Sequence, residues 1–305
     1  MKATVVKNAG SHYLLTELPR WKPFPAVLRG KIRLKGSTAT NPVAVGDVVE
    51  YILQDEQAVI TGVEPRKNYL IRRSTNLSRQ AHIIAANIDM AYIVVSLYFP
   101  ELKLPLLDRI LVTAEVYGIP ATIVLSKTDL YREEDPEGID RIKAIYEAAG
   151  YPVIETSVPE GKGIEELRQL CRGRINLFSG ESGVGKSSLI KAIDPSLNPK
   201  VGDISLAHLQ GKHTTSLYEM YPIASGGYII DSPGIRGFGL VDLEKEEIAR
   251  YFPEMLKAAE NCRFTPCTHT HEPGCAVKAA VDEGSISAER YNSYLGMLEE
   301  DRKFR

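Results

Sequence analysis

Gly180-Glu181-Ser182-Gly183-Val184-Gly185-Lys186-Ser187 follows the β-prone run Ile175-Asn176-Leu177-Phe178 and opens a helical pattern over 186–193. It matches G-x-x-x-x-G-K-[ST] in full. Glycines let such a loop turn its backbone N–H groups inward, onto phosphate oxygens. The helix that starts there adds the positive end of its dipole. Lys186 is expected to reach the β- and γ-phosphates and the Ser187 hydroxyl to ligate Mg²⁺. Ser188 extends the nucleotide-binding stretch. A phosphate loop set between strand and helix predicts an α/β domain.

The surrounding pattern agrees. From about residue 88, the strand-like runs 91–95, 121–125, 153–156, 175–178 and 228–231 alternate with helical stretches near 106–117, 138–149, 163–172 and 186–193. That alternation implies parallel β-α units with helices on both faces of a sheet. Ligands bind such sheets at the C-terminal ends of the strands, so chemistry is sought directly after each one.

The phosphate loop does not choose the base. Ser126-Lys127-Thr128-Asp129, after the strand 121–125, resembles the N-K-x-D motif of GTPases. There the aspartate accepts from guanine N1–H and the exocyclic amine. Adenine would leave it unpaired, at a cost of several kcal/mol. The lysine stem is expected to pack on the base plane. Ser126 departs from the usual Asn, and its shorter side chain is expected to lose a bridge to the phosphate loop. Thr156-Ser157-Val158, after the next strand, resembles the segment whose backbone N–H binds the guanine carbonyl.

Downstream of the phosphate loop lie Gly211-Lys212-His213-Thr214-Thr215 and Asp231-Ser232-Pro233-Gly234. An acidic residue at a strand end holds the metal in P-loop enzymes, usually through water, and Gly234 can set its N–H against the γ-phosphate. A threonine in the interval completes the Mg²⁺ shell. Thr214 and Thr215 both qualify, and Thr215 is carried forward with Ser187 and Asp231. The polar segment from about 195 to 216 reads as a switch loop. In most GTPases the phosphate loop comes first in this set and the base motifs last. Here the base motifs come first, one cyclic rotation of the same order. Because domain termini often lie close together, such a permutation preserves sheet and site.

Flanking modules differ in kind. Residues 1–72 hold about five short β-prone runs divided by turns, as in a small barrel, for which an OB-fold is one candidate. Residues 1–73 carry 12 Lys/Arg against 6 Asp/Glu, a net of +6 in a chain of net −2. A basic module of this kind suits polyanions. Arg29, Lys31, Arg33 and Lys35 share one strand face by their period of two, and Arg66, Lys67, Arg72 and Arg73 form a second cluster. At the other end, Cys262, Cys267, His269 and Cys275 offer three thiolates and an imidazole, a full tetrahedral shell for one structural Zn²⁺. His271 is an alternative fourth ligand. Cys171, far away on a helix, reads as a buried apolar thiol.

Together these features resemble the RsgA family (also called YjeQ or YloQ), GTPases of small-ribosomal-subunit assembly. The most specific parts are the motif order, Gly211 to Thr215, Asp231-Ser232-Pro233-Gly234-Ile235-Arg236-Gly237-Phe238, and Cys262 to Cys275 with His271-Glu272-Pro273-Gly274. The resemblance implies three units: an OB-fold RNA-binding barrel at 1–72, a circularly permuted P-loop GTPase domain at 73–240, and a mainly helical zinc-binding domain at 241–305. It further implies GTP hydrolysis to GDP stimulated by the small subunit late in its maturation, with contact to rRNA. Ile235 stands where many GTPases carry a water-orienting glutamine, so His213 is the implied catalytic substitute.

Two other readings are a slow GTP-loaded docking switch, which Ile235 favours, and a P-loop ATPase or kinase with a zinc module. The second predicts that ATP competes equally with GTP. No run approaches the roughly 18 apolar residues of a membrane span, and residues 1–8 lack the apolar core of a secretory signal. The expectation is a cytoplasmic monomer.

Overall fold

The computed structural model describes residues 1–10, 12–28, 42–73, 81–197, 219–231 and 243–300, with backbone only at 72, 73, 81, 82, 231 and 300. Alternating apolar residues roll the N-terminal strands into a barrel. These are β1 (Lys2–Ala9), β2 (His12–Thr16), β3 (Phe24–Leu28), β4 (Val48–Gln54) and β5 (Gln57–Val63). They pair in the order β1-β2-β3-β5-β4, and β4 returns to β1. Val5, Leu15, Ala26, Val49 and Ile60 fill the interior. A buried ion pair staples the barrel's exit. Arg66 Nε and Nη2 each lie 2.7 Å from a carboxylate oxygen of Asp47, and Asp47 also accepts from Ala44 N–H at 2.8 Å.

After β6 (Tyr69–Arg73) and β7 (Ala81–Ala86), a separate two-stranded ribbon, the α/β unit begins. Its strands are β8 (Met90–Ser96), β9 (Ala121–Ser126), β10 (Val153–Glu155), β11 (Ile175–Gly180), β12 (Glu219–Pro222) and β13 (Tyr228–Asp231). They lie in the order β10-β9-β8-β11-β13-β12, parallel except for β12. The central strands β8 and β11 are buried almost throughout, as near-continuous apolar runs require. Helices α1 (Leu104–Val116) and α2 (Pro136–Ala148) cover Ala91, Ile93 and Val95 on one face. Helices α3 (Ile164–Cys171) and α4 (Lys186–Ile193) cover Tyr92, Val94 and Phe178 on the other. Cys171 is a free, buried thiol.

The ribbon and β12 were not anticipated from the sequence. β12 is four residues long and ends in proline, so it carries little periodic signal, yet it joins the two sheets. Lys7 of β1 pairs with Glu219 in register and by a 2.8 Å ion pair. Trp21 stacks on Tyr228 with centroids 5.8 Å apart.

The C-terminal unit is helical: α5 (Lys245–Ile248), α6 (Pro253–Ala259), α7 (Ala276–Asp282) and α8 (Ala288–Glu300). Phe252, Met255, Val277, Tyr294 and Met297 form its core with Val112 of α1. No helix among the described residues is long and apolar enough to cross a membrane. Where α8 meets α1, Arg290 is only 1% exposed. It donates to Asp108 Oδ1 at 2.7 Å and to both Glu254 oxygens at 2.8 and 3.0 Å. The Phe252 ring centroid lies 4.7 Å from its guanidinium carbon. Removing one partner of a buried ion pair leaves the others charged and unpaired. Arg290→Leu is therefore expected to destabilise the junction by roughly 3–5 kcal/mol, read as an earlier urea transition of the C-terminal helices.

Candidate nucleotide site and metal centre

Parallel pairing brings the motifs to one sheet edge. Ser96 of β8 lies opposite Ser126 of β9, and Val94 of β8 opposite Gly180 of β11. The base-motif turn and the phosphate loop thus flank the end of β8. Their contacts are direct. Ser126 Oγ lies 2.6 Å from Val184 O and 2.9 Å from Val95 O, and its single proton serves the two carbonyls in turn. The expected loss of a bridge at Ser126 is thereby corrected: the backbone of the turn sits close enough for a hydroxyl to reach the loop.

Lys127 adopts the left-handed conformation at φ 59°. Its ammonium donates to Gly183 O and, at 2.7 Å, to Phe99 O. Thr128 is buried and donates from N–H and hydroxyl to Thr156 O. Asp129 Oδ1 is buried without a hydrogen-bond partner. Such an orphaned acceptor costs free energy until a donor arrives, and guanine's N1–H and amine are donors of the fitting kind. In the third segment, buried Ser157 gives its N–H to Lys162 O at 3.1 Å. That leaves Val158, which is exposed, as the segment's next backbone donor.

The phosphate loop has the required backbone. Gly183 and Gly185 take φ of +88° and +91°. A Cβ on Gly180 would lie 2.5 Å from Val94 O. Val184 is buried beneath the loop, Glu181 is half-buried, and Ser182 is exposed. Gly185 caps α4 without a side-chain hydrogen bond, and the first turn, Lys186-Ser187-Ser188, has no acidic residue. Its uncapped N–H groups suit an anion. Asp231 ends β13 opposite Phe178 of β11. The Asp231 side chain, His213, Thr214, Thr215, Gly234 and Ile235 lie outside the described residues.

The second centre lies in the C-terminal unit. The ligand atoms of Cys262, Cys267, His269 and Cys275 all lie within 4.8 Å of one another. His269 Nδ1 is 3.7 Å from Cys262 Sγ and 3.4 Å from Cys275 Sγ, and those sulfurs are 3.9 Å apart. Metal–sulfur bonds of about 2.3 Å in a tetrahedron give sulfur–sulfur edges of roughly 3.8 Å, so the donors fit one ion. Burial pushes the Cys267 thiol up to about 12, and a cation offsets that cost by binding the thiolate. His271 turns instead to Thr270 Oγ1, 2.9 Å away. The loop is braced from outside: Tyr291 and Tyr294 donate to the carbonyls of His269 and Thr268, each at 2.6 Å. Against the effect of burial, hydrogen bonds from Thr268 and from the Thr270 N–H hold Glu272 down at about 2.

A family model described as RsgA GTPase matches residues 63–241. The chain belongs to the RsgA GTPase family. It is 48% identical to a Bacteroides fragilis protein named small ribosomal subunit biogenesis GTPase RsgA, over 100% of this chain and 99% of that one. A Flavobacterium psychrophilum protein of the same name is 45% identical over 99% of this chain and 93% of its own. Among solved structures, YjeQ from Thermotoga maritima superposes with TM-score 0.81 at 33% identity, covering 98% and 97% of the two chains. YloQ, described as a circularly permuted GTPase, gives 0.73 at 27%, covering 100% and 96%. The chain is thus a GTP hydrolase of permuted motif order, with an OB-like barrel and a three-cysteine, one-histidine group that could hold a metal ion.

For this RsgA GTPase the basic patches read differently in three dimensions. Arg66 is consumed by Asp47, and Lys67 pairs with Asp89 at 2.8 Å. Trp21 packs on Tyr228 and Phe24 on Tyr51, and both are half-buried. Arg29, Lys31, Arg33, Lys35 and the side chains of Arg72 and Arg73 lie outside the described residues. Two groups that no motif marks touch the base-motif turn: the Phe99 carbonyl, which accepts from Lys127, and the Tyr131 phenol, which donates to Ser126 O.

Two outcomes follow. Gly180→Ala is expected to displace the phosphate loop from β8 and weaken GTP binding at least about tenfold, by fluorescent-nucleotide titration. Elemental analysis is expected to find one zinc per chain. Cys267→Ser or chelation should then abolish the cooperative melting of the C-terminal helices, followed by near-UV dichroism of their tyrosines.

Proposed function

We propose that this RsgA GTPase docks on the small ribosomal subunit and hydrolyses GTP to GDP and phosphate late in the subunit's maturation. The names of its relatives supply the assembly context. The observation that carries the nucleotide assignment is the unpaired, buried Asp129 oxygen on a turn bonded to the phosphate loop.

In this reading Asp129 accepts from guanine, the Lys127 stem packs on the base, and Val158, beside Ser157, donates to the guanine carbonyl. The backbone of 180–185 and the first turn of α4, Lys186 to Ser188, hold the phosphates. Ser187, Thr215 and Asp231 would hold Mg²⁺, which when bound neutralises charge developing between the β- and γ-phosphates. Gly234 N–H contacts the γ-phosphate. His213 orients the attacking water, because Ile235 has no group to do so. The motif spacing and the permuted strand order support these roles.

The units divide the labour. Residues 1–72 carry the RNA-binding barrel, 73–240 the GTPase and 241–305 a zinc-stabilised platform. Zinc is assigned because three thiolates and an imidazole are soft donors in tetrahedral array. The protein acts as a cytoplasmic monomer.

Asp129→Asn reverses one donor–acceptor pairing. It is expected to weaken GTP binding by roughly 10²- to 10⁴-fold and to favour xanthosine triphosphate, whose 2-oxo group accepts from the new amide. Competition titration checks this, and ATP competing as well as GTP against the unaltered protein would sink the base assignment. Phosphate release is expected to rise at least about tenfold when small subunits are added. Co-sedimentation with those subunits should be stronger with a non-hydrolysable GTP analogue than with GDP. Equal turnover with and without subunits would instead favour the slow docking switch that Ile235 suggests.

A further inference from the structure

The turn that carries Asp129 is tied outward by the side chains of Ser126, Lys127 and Thr128. Lys127 sits in the left-handed region at φ 59°, and only a three-residue 3-10 turn, Thr128–Leu130, follows. A non-glycine residue in that conformation is disfavoured unless its surroundings hold it. One side chain spans the turn. Tyr131 is 1% exposed, and its phenol donates to the carbonyl of Ser126 five residues earlier. The phenol oxygen in turn accepts from Leu97 N–H at 3.4 Å.

Ser126 ends β9, and Leu97 directly follows β8. The hydroxyl is therefore a strut between two strands at the point where their ladder stops. Both groups it serves belong to buried residues. Burial raises the phenol to about 12, so it stays a donor at neutral pH. The ring is held independently, edge-on to Tyr98 with centroids 5.9 Å apart and within the core beneath α1.

We propose that Tyr131 is a positioning residue for base selection: its hydroxyl fixes the Ser126–Asp129 turn against the end of β8 and so aims the Asp129 carboxylate at the purine. The proposal rests on Asp129 being the guanine acceptor. It adds that the aim is set by a residue outside the motif. The Ser126 hydroxyl has one proton shared between two carbonyls, so it secures the turn less firmly than an amide with two N–H donors. The phenol adds a second constraint, on the Ser126 carbonyl. Small displacements of a hydrogen-bonding group weaken directional contacts steeply.

The test compares Tyr131→Phe with the unaltered full chain, Phe keeping the ring and its packing. Affinities for GTP, inosine triphosphate (guanine's analogue lacking the amine) and ATP are measured by competition, with basal turnover at saturating GTP and the melting temperature. The expected result is roughly tenfold weaker GTP binding, a ratio of inosine to guanine dissociation constants falling toward one, ATP affinity unchanged, and turnover within about twofold. An unchanged ratio in the variant, beside a large ratio in the parent, overturns the positioning role alone. Equal weakening for all three nucleotides overturns it too, because the phenol would then serve only the fold. A ratio near one in the parent overturns the assignment of Asp129 and the proposal with it.

Discussion

The Lys127 ammonium is the contact on which the cleft's geometry depends. It donates to the carbonyls of Gly183 and Phe99, and so ties the base-recognition turn to the phosphate loop and to the loop that follows β8. Each of these segments leaves its own strand, and no ladder continues between them beyond Ser96, Ser126 and Gly180. A charged donor makes stronger bonds than a neutral one, and its four-carbon stem spans a gap that backbone pairing does not bridge. The left-handed backbone at Lys127 is the conformational cost of aiming the stem this way. With that tie in place, Asp129 can be presented with an empty acceptor.

Much of this was legible in sequence because the chemistry demands residue types and not merely contacts. Glycines at 180, 183 and 185 are required by close approach or by positive φ. The start of α4 follows from the lysine and serines after the last glycine. Cysteine and histidine spacing pointed to a four-ligand group, and the structure distinguishes His269 from His271 because only the former is folded beneath the loop. Where a reading rested on side-chain reach alone, it erred: Ser126 Oγ lies 2.6 Å from Val184 O, a backbone separation that the spacing of a motif does not encode.

The remainder was hidden for identifiable reasons. Backbone carbonyls such as that of Phe99 carry no side-chain signature. Arg290 and Asp108 are 182 residues apart, so nothing local announces their pairing. Arg66 has the composition of a phosphate contact but the surroundings of a core ion pair. A basic count fixes the charge of a module without saying which cations remain for a ligand. The permutation, in contrast, was readable because a cyclic shift keeps each motif attached to its own strand.

The junction of β1 with β12 has a consequence beyond linking two units. Most sheets end in strands whose unpaired amides can recruit another chain. Here the eleven-stranded sheet runs from the α/β unit into a barrel whose last strand folds back on its first. One terminus of the sheet is sealed by closure, and the other is β10, only three residues long. Among the described residues, the joined sheet thus offers little template for cross-chain pairing at either of its ends.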